Sequence, residues 1–206
     1  MIVLYVDGLC EPINPGGIMA CGVVAYRGKQ RILEASTAWT STPSSNNIAE
    51  YTACIHGLRL LSDMGLTGEE VVVCSDSQLM VRQINGEYAV HSENIAGLYY
   101  QVQQLAGLFH KIRFRWVPRE QNTEADALSR QAYKAWIEEN SDLFRERYGT
   151  YMASPKQIAF LRGLNITPSP YVSKQEASRL IRDTLKHEKS PSQHSRLDRC
   201  NFEKDE

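Results

Sequence analysis

The chain has 206 residues, of which 42% are hydrophobic and 23% charged, and its formal net charge is −1. Such a chain can bury a real core, and its length suits one domain of ordinary size with a smaller addition. No apolar run approaches the roughly 20 residues that span a bilayer, and no basic leader precedes Asp7, so we expect neither a membrane protein nor a secreted one.

The five cysteines are an odd set with no close pair. This spacing is typical of neither a disulfide framework nor a zinc site, and it fits a reducing compartment. We therefore expect a cytoplasmic protein.

The net charge conceals an asymmetry between the two parts of the chain. Residues 1–150 carry 13 Lys/Arg and 17 Asp/Glu, a balance of −4, whereas residues 151–200 carry 9 and 4, a balance of +5. An acidic first part would need metal ions to bind a polyanion, but the basic second part could bind one unaided.

Residues 1–138 show the periodicities of an α/β domain. The predicted strands span residues 2–7, 18–27, 30–39, 71–74 and 112–117, and the predicted helices span 47–64, 77–84, 93–109 and 123–138. Three consecutive strands followed by alternation with helices predict a mixed sheet with helices on both faces.

Two local signals refine this pattern. Asn47 and Glu50 have the spacing of a capping box at the start of the first helix, and Gly65 is placed to end it. Residues 8–17 are dense in turn formers, which predicts a loop whose glycines leave backbone N–H groups open to a ligand.

The remainder of the chain divides into three predicted segments: a charged, aromatic connector at 139–152, a basic two-helix module at 153–187 and a disordered polar tail at 188–206. Each module helix has its own start signal. Ser154 precedes Pro155 and Gln157, and Ser173 precedes Glu176, which are capping-box arrangements.

Four acids occupy strand ends or first helical turns: Asp7, Glu50, Asp76 and Asp126. Each alone has an ordinary explanation as a turn residue, a cap or a partner of the helix dipole. If the first and fourth strands are adjacent and parallel, however, Asp7 and Asp76 meet at their carboxyl ends, where α/β sheets place ligands.

Such a cluster would carry uncompensated negative charge. Two carboxylates ~4 Å apart repel by about 4 kcal/mol at an effective dielectric of 20. The acids must then take up protons or bind a divalent metal, and oxygen-only ligands favour Mg²⁺ or Mn²⁺. Two such ions can activate a water molecule and stabilise the leaving oxygen of a phosphodiester.

Five segments carry a family resemblance. They are Asp7-Gly8 after a strand, Asn14-Pro15-Gly16-Gly17, Ser45-Asn46-Asn47 with Glu50, Ser75-Asp76-Ser77-Gln78, and Asn122-Thr123-Glu124-Ala125-Asp126. In this order they resemble the motif series of type 1 ribonuclease H, over residues 1 to about 138. The resemblance implies a ribonuclease H-like α/β fold, with three antiparallel strands and then parallel ones in a five-stranded sheet.

The resemblance also implies an activity, cleavage of the RNA strand of RNA–DNA hybrids to leave 5′-phosphate and 3′-hydroxyl ends. Asp7 would bridge two metal ions, Asp126 would complete the water-activating site, and Glu50 and Asp76 would hold the ion on the leaving-group side. Glu50 also matches a contact to the 2′-hydroxyl that distinguishes RNA from DNA. The expected substrate contacts are Asn14, Asn46, Asn47, Gln78 and Asn122.

Two departures from the family pattern matter. The loop at residues 117–122 lacks the histidine that many members carry there, so Arg119 or Glu120 is a candidate auxiliary residue. Residues 86–96 are too short and too acidic for a basic handle. The chain therefore resembles the handle-less, archaeal-like branch, for which cleavage of double-stranded RNA is a further expectation.

The module at 153–187 resembles a small helix pair appended to various bacterial and phage proteins. Its cations supply the hypothesis that it grips the hybrid in place of the missing handle. They are Lys156, Arg162, Lys174, Arg179, Arg182 and Lys186. The alternative is a docking or stability element.

Two other functions stay open for the chain as a whole. One is a non-catalytic hybrid- or RNA-binding module, against which the presence of all four acids argues. The other is a different nuclease or an integrase-like member of the same superfamily. No protein partner is implied, and we expect a monomer.

Overall fold

The computed structural model describes residues 1–188 of the chain. The strands are β1 (Ile2–Glu11), β2 (Ile18–Arg27), β3 (Gln30–Trp39), β4 (Glu70–Ser75) and β5 (Lys111–Trp116). The α-helices are α1 (Asn46–Asp63), α2 (Gln78–Ile84), α3 (Glu93–Ala106), α4 (Thr123–Glu139), α5 (Ser141–Tyr148), α6 (Pro155–Gly163) and α7 (Lys174–Glu188).

The five strands form one sheet in the order β3-β2-β1-β4-β5. β1 and β3 pair antiparallel with β2, whereas β4 pairs parallel with both β1 and β5. The predicted mixed sheet is therefore confirmed. Tyr5 lies opposite Cys74, so the carboxyl ends of β1 and β4 are adjacent.

Strand β1 is longer than predicted. The expected loop at residues 8–17 was wrong in its first part, because Gly8–Glu11 continue the antiparallel ladder with Ile18–Cys21 of β2. β4 has already ended there, since its register with β1 stops at Tyr5. Asp7 is thus held inside a paired strand, just beyond the part of β1 that β4 covers.

Helices cover both faces of the sheet, as predicted. Side chains alternate along β1, so Leu4 and Val6 face the main core, where they are fully buried with Tyr51 and Leu58 of α1. The opposite face of β1 meets α4, whose Ser129 contacts Asp7. The Asp7 carboxylate therefore points away from the main core.

The start of α1 differs from the prediction. Its N-cap is Ser45, whose hydroxyl accepts a hydrogen bond from the Ile48 N–H at 3.3 Å, so the predicted capping box of Asn47 and Glu50 was wrong. Glu50 is consequently not used as a capping side chain. The predicted stop holds, since Gly65 follows the helix with φ of +72°, a conformation that glycine adopts without strain.

The predicted connector at 139–152 is largely helical. α5 occupies most of it, and Phe144 and Tyr148, spaced four residues apart, are buried on one side of that helix. The Tyr148 hydroxyl donates to the Gly16 carbonyl at 3.1 Å. Residues Met1–Tyr148 accordingly form one compact unit, which extends ten residues past the predicted boundary at 138.

A second unit begins at Gly149. Its own core contains the buried side chains of Leu161, Val172 and Ala177. The capping box of Ser154 and Gln157 is present, and the Ser173 hydroxyl caps α7 by accepting from the Glu176 N–H at 3.1 Å. The predicted tail at 188–206 lies, apart from Glu188, outside the described residues.

Two further observations bear on the class of protein. The four described cysteines are buried and free, as the odd, dispersed set indicated. Within residues 1–188, none of the helices combines the length and the apolar character that crossing a membrane requires.

Candidate metal centre and nucleic-acid interface

Three of the four predicted acids meet at the end of the sheet. Asp7 lies in β1, Glu50 lies in the second turn of α1, and Asp76 directly follows β4. One carboxylate oxygen from each lies within 4.8 Å of the other two. Residues far apart in sequence therefore form one cluster, as the parallel pairing of β1 and β4 requires.

Close packing of α1 against β1 brings Glu50 to this position. A Cβ on Gly8 would lie 2.2 Å from the Ala49 carbonyl carbon and 2.3 Å from the Glu50 nitrogen. Both are backbone atoms, which cannot move aside as a flexible side chain could. Only glycine at position 8 allows the helix to approach the strand this closely.

The electrostatics of the cluster disfavour its ionised state. Asp7 is 5% exposed, and its pKa is raised to about 6, with burial as the largest cause. The hydrogen bond from Ser129 opposes this rise, while repulsion from Asp76 and Asp126 contributes to it. The pKa of Glu50 is raised well above its usual range. Burial is the largest cause, and repulsion from Asp7 and Asp76 adds to it. The cluster therefore needs a proton or a cation at neutral pH.

The donor set fits a hard divalent cation. All three side chains offer carboxylate oxygens, and neither histidine nor cysteine belongs to the group. Mg²⁺ and Mn²⁺ prefer such ligands, whereas zinc prefers nitrogen and sulfur. Asp7, Glu50 and Asp76 are thus the residues of this unit best suited to hold a metal.

Asp126, the fourth predicted acid, is not part of this three-acid group. The Arg119 guanidinium donates to its Oδ1, and Arg130 Nε lies 3.2 Å from its Oδ2. Arg130 also reaches Glu11 at 3.4 Å. The charge of Asp126 still raises the pKa of Asp7, so it lies near the cluster, but two guanidinium groups hold its carboxylate.

The two predicted auxiliary residues lie in the 3₁₀ turn Arg119–Gln121. Arg119 is exposed and contacts Asp126, as described above. Glu120 is exposed as well. Of the two, only Arg119 is linked to a predicted metal ligand by a contact in the described chain.

Two residues of the site were missed by the sequence reasoning. The Ser129 hydroxyl donates to Asp7 Oδ2. A Cβ on Gly22 would lie 2.2 Å from the Ala125 oxygen, so this glycine lets α4 approach β2 closely enough for that contact. Ser129 lies three residues after Asp126, on the same helix face, and this spacing was the one sequence signal that could have identified it.

Most predicted substrate contacts lie on the surface. Asn14, Asn46, Asn47 and Gln78 are all exposed. The Asn46 N–H donates to Asn14 Oδ1 at 3.0 Å, and Asn46 Oδ1 accepts from the Cys10 N–H at 2.6 Å. The side-chain oxygens of Asn14 and Asn46 thus connect the end of β1 and the loop that follows it to the start of α1. Asn47 lines a cavity of about 170 Å³.

Asn122, the fifth expected substrate contact, is buried. It is 2% exposed, and its Nδ2 donates to the Val6 carbonyl at 3.0 Å and to Asp76 Oδ1 at 2.8 Å. Its Oδ1 is buried and has no hydrogen-bond partner among residues 1–188. Asn122 therefore links Asp76 to β1, and its expected contact with a substrate stays a prediction.

Comparison with known proteins gives this fold and site a family context. A family model described as "Reverse transcriptase-like" matches residues 8–132. The bifunctional protein Rv2228c of Mycobacterium tuberculosis is 36% identical over 134 residues, which are 65% of this chain and 36% of the relative. Ribonuclease HI of Halobacterium salinarum is 31% identical over 128 residues, or 62% of each chain.

A solved structure gives the same result. The crystal structure of LC11-RNase H1 in complex with an RNA/DNA hybrid superimposes with a TM-score of 0.62 at 30% identity, covering 66% of this chain and 99% of the other. The resemblance to type 1 ribonuclease H, in an archaeal-like form, is therefore confirmed for the first unit. The chain spans about a third of the length of the mycobacterial relative and less than two thirds of the halobacterial one.

Proposed function

Because the chain belongs to the reverse transcriptase-like family, we propose that it is a ribonuclease H, an endonuclease that hydrolyses the RNA strand of RNA–DNA hybrids. The products would carry 5′-phosphate and 3′-hydroxyl ends. The observation that carries the proposal is the meeting of Asp7, Glu50 and Asp76 within 4.8 Å, in a unit whose relatives include ribonucleases H. The hybrid bound by LC11-RNase H1 supports the choice of substrate.

The acids would hold two Mg²⁺ ions, for which Mn²⁺ could substitute, with Asp126 joining Asp7, Glu50 and Asp76. When bound, such ions activate a water molecule and stabilise the leaving oxygen of a phosphodiester. The chain's own residues orient the ligands for that chemistry. Ser129 holds Asp7 through its Oδ2, and Asn122 holds Asp76 through its Oδ1, so neither carboxylate rotates freely.

To bind a metal ion in this site, Asp126 would have to lose at least part of its ion pairing with Arg119 and Arg130. Arg119 is exposed and contacts Asp126 from a 3₁₀ turn, so it can leave without exposing any core. We assign Arg119 the auxiliary place that the missing loop histidine would take, with Glu120 as the second candidate. A guanidinium there is well suited to meet a substrate phosphate.

Recognition of the substrate would use uncharged amides. Asn14, Asn46, Asn47 and Gln78 are exposed, and amide groups pair with sugars and base edges in a shallow minor groove without demanding a sequence. Glu50 would contribute by contacting a 2′-hydroxyl. Binding would then select the hybrid by its shape and its ribose hydroxyls.

The decisive experiment is a cleavage panel. Labelled RNA–DNA hybrid, double-stranded RNA and duplex DNA are each incubated with Mg²⁺, Mn²⁺ or chelator, with wild type and with Asp76→Asn. We expect hybrid cleavage that requires metal and falls by at least about 10³-fold in the variant, equivalent to about 4 kcal/mol of transition-state stabilisation. Asp63→Asn, an exposed acid at the end of α1, is the matched control and should retain full activity.

The same panel decides between the alternatives. Binding of the hybrid with no cleavage under any metal condition would identify a non-catalytic binding module. Cleavage of double-stranded RNA beside the hybrid would widen the substrate class. Cleavage of duplex DNA alone would favour another nuclease of the superfamily and would overturn the proposal.

A further inference from the structure

Helix α7 carries a cationic face that its own unit does not use. Arg179, Arg182 and Lys186 are exposed. The other side of the helix is apolar: Ala177 is fully buried, and Leu180 and Ile181 pack against the same core. One side of the helix therefore packs against the core of the second unit, and the other side exposes polar side chains to solvent.

The three cations are placed close together on that side. At 100° per residue they fall within an arc of about 60°, and the rise of 1.5 Å per residue spreads them over about 10 Å. Glu176 and Asp183, the two acids among residues 174–186 of the helix, fall outside this arc. We call Arg179, Arg182 and Lys186 the α7 basic face.

Several cations of the first unit have carboxylate partners, which the cations of the α7 basic face lack. Arg27 pairs with Glu69, and Arg113 pairs with Glu70. Among residues 1–186, whose side chains the structure describes, none of the three α7 cations forms an ion pair. Three neighbouring positive charges without partners repel one another, so the face is suited to a polyanion.

We propose that the α7 basic face binds the phosphate backbone of the RNA–DNA hybrid. This inference rests on the proposed function for the identity of the substrate. Phosphates along one strand of a duplex repeat roughly every 3.4 Å of helix axis, so a span of about 10 Å matches roughly three of them. Arginine and lysine at helical spacing contact such a backbone without reading its sequence.

The negative charge of the first unit explains why a second binding surface for the hybrid would strengthen binding. Residues 1–150 have a balance of −4, and the candidate metal centre concentrates negative charge where the scissile phosphate must lie. A polyanion is therefore held weakly by the first unit until metal is bound. A covalently attached basic surface raises the effective concentration of the substrate and strengthens binding without any change to the catalytic carboxylates.

The test uses the full chain with Arg179→Gln, Arg182→Gln and Lys186→Gln combined. Binding of a labelled hybrid is measured in chelator, where metal-dependent cleavage is absent, at several salt concentrations. We expect the dissociation constant to rise at least about tenfold near 0.1 M salt. The slope of log K against log salt should become shallower by about 2–3, because each phosphate that a side chain neutralises adds about 0.9 to it. With metal, KM should rise and kcat should stay unchanged.

The matched control removes the same net charge elsewhere, through Lys29→Gln, Arg59→Gln and Arg145→Gln, three exposed cations of the first unit. It should bind nearly as wild type does. Arg179→Lys with Arg182→Lys keeps the charge and should also retain affinity, which separates loss of charge from loss of helix structure. Far-UV circular dichroism of each variant checks that α7 remains folded.

Equal losses of affinity in the α7 variant and in the matched control would overturn the inference, since charge alone would then explain them. An unchanged salt slope in the α7 variant would overturn it too. Failure of the wild type to cleave hybrid in metal would instead overturn the proposed function, while the chelator titrations would still decide whether the α7 basic face binds the duplex.

Discussion

Replacing Asp7 by asparagine should make the metal-free protein more stable at neutral pH while abolishing activity. Asp7 is 5% exposed and lies beside Glu50 and Asp76, and burial is the largest cause of its raised pKa. In the metal-free protein its ionised form is therefore a cost to folding. Asparagine is close to isosteric, and its side-chain oxygen can still accept the hydrogen bond from Ser129.

The magnitude follows from the pKa of Asp7. Its rise from an ordinary 3.8 to about 6 corresponds to about 3 kcal/mol, at roughly 1.36 kcal/mol per pH unit. Because the pKa is raised in the folded state, this cost is absent below about pH 4, grows through the interval up to about pH 6 and is complete above it. Asparagine should thus stabilise the metal-free protein by about 1–3 kcal/mol at about pH 7.5 and by almost nothing at about pH 4.

The assay is urea unfolding in chelator at pH 4 and pH 7.5, followed by tryptophan fluorescence. All three tryptophans, Trp39, Trp116 and Trp136, lie in the first unit, so the signal reports on the unit that contains Asp7. Thermal unfolding should show a rise in Tm of about 2–4 °C per kcal/mol for a chain of this size. Asp63→Asn controls for the loss of one surface charge.

Added Mg²⁺ supplies a second comparison. A cation bound by the carboxylates should stabilise the wild type and should stabilise Asp7→Asn much less, so the difference between the two should shrink or reverse. If Asp7→Asn is no more stable than wild type in chelator at pH 7.5, then the carboxylate is not strained by burial and repulsion. The electrostatic account of the site would then be wrong.

Three further predictions concern the surroundings of this carboxylate. Ser129→Ala should raise the pKa of Asp7 further, because its hydrogen bond is lost, and should move the pH dependence of Mg²⁺ binding upward in calorimetric titrations; an unshifted profile would contradict this. Arg119→Gln should tighten Mg²⁺ binding several-fold if the carboxylate it releases is a ligand, and unchanged affinity would exclude that carboxylate from the site. Gly22→Ala should cost about 1–3 kcal/mol in urea unfolding, because its Cβ would meet α4 backbone, whereas Gly68→Ala, with open space around it, should be nearly neutral.

Much of the fold could be predicted from local patterns in the sequence. The change from period 2 to period 3.6 located the elements, and Gly65 and the two capping signals of the second unit were correct because they depend on neighbours a few residues apart. Predictions failed where distant partners decide. β1 extends to Glu11 because β2 supplies a ladder there. α5, whose Phe144 and Tyr148 are buried, lies within the segment expected as a connector, and no local pattern had predicted this helix.

The candidate site shows the same distinction between features that local sequence predicts and features that depend on distant partners. The sequence by itself determined which acids were available and, through the parallel pairing that the element order implied, that Asp7 and Asp76 would meet. Only the tertiary structure decided that Asp126 is held by two arginines and that Asn122 is buried beneath Asp76. Sequence spacing determines which face of a helix or strand a residue occupies, but contact between side chains of different elements depends on how closely two backbones approach, and here Gly8 and Gly22 permit the approach.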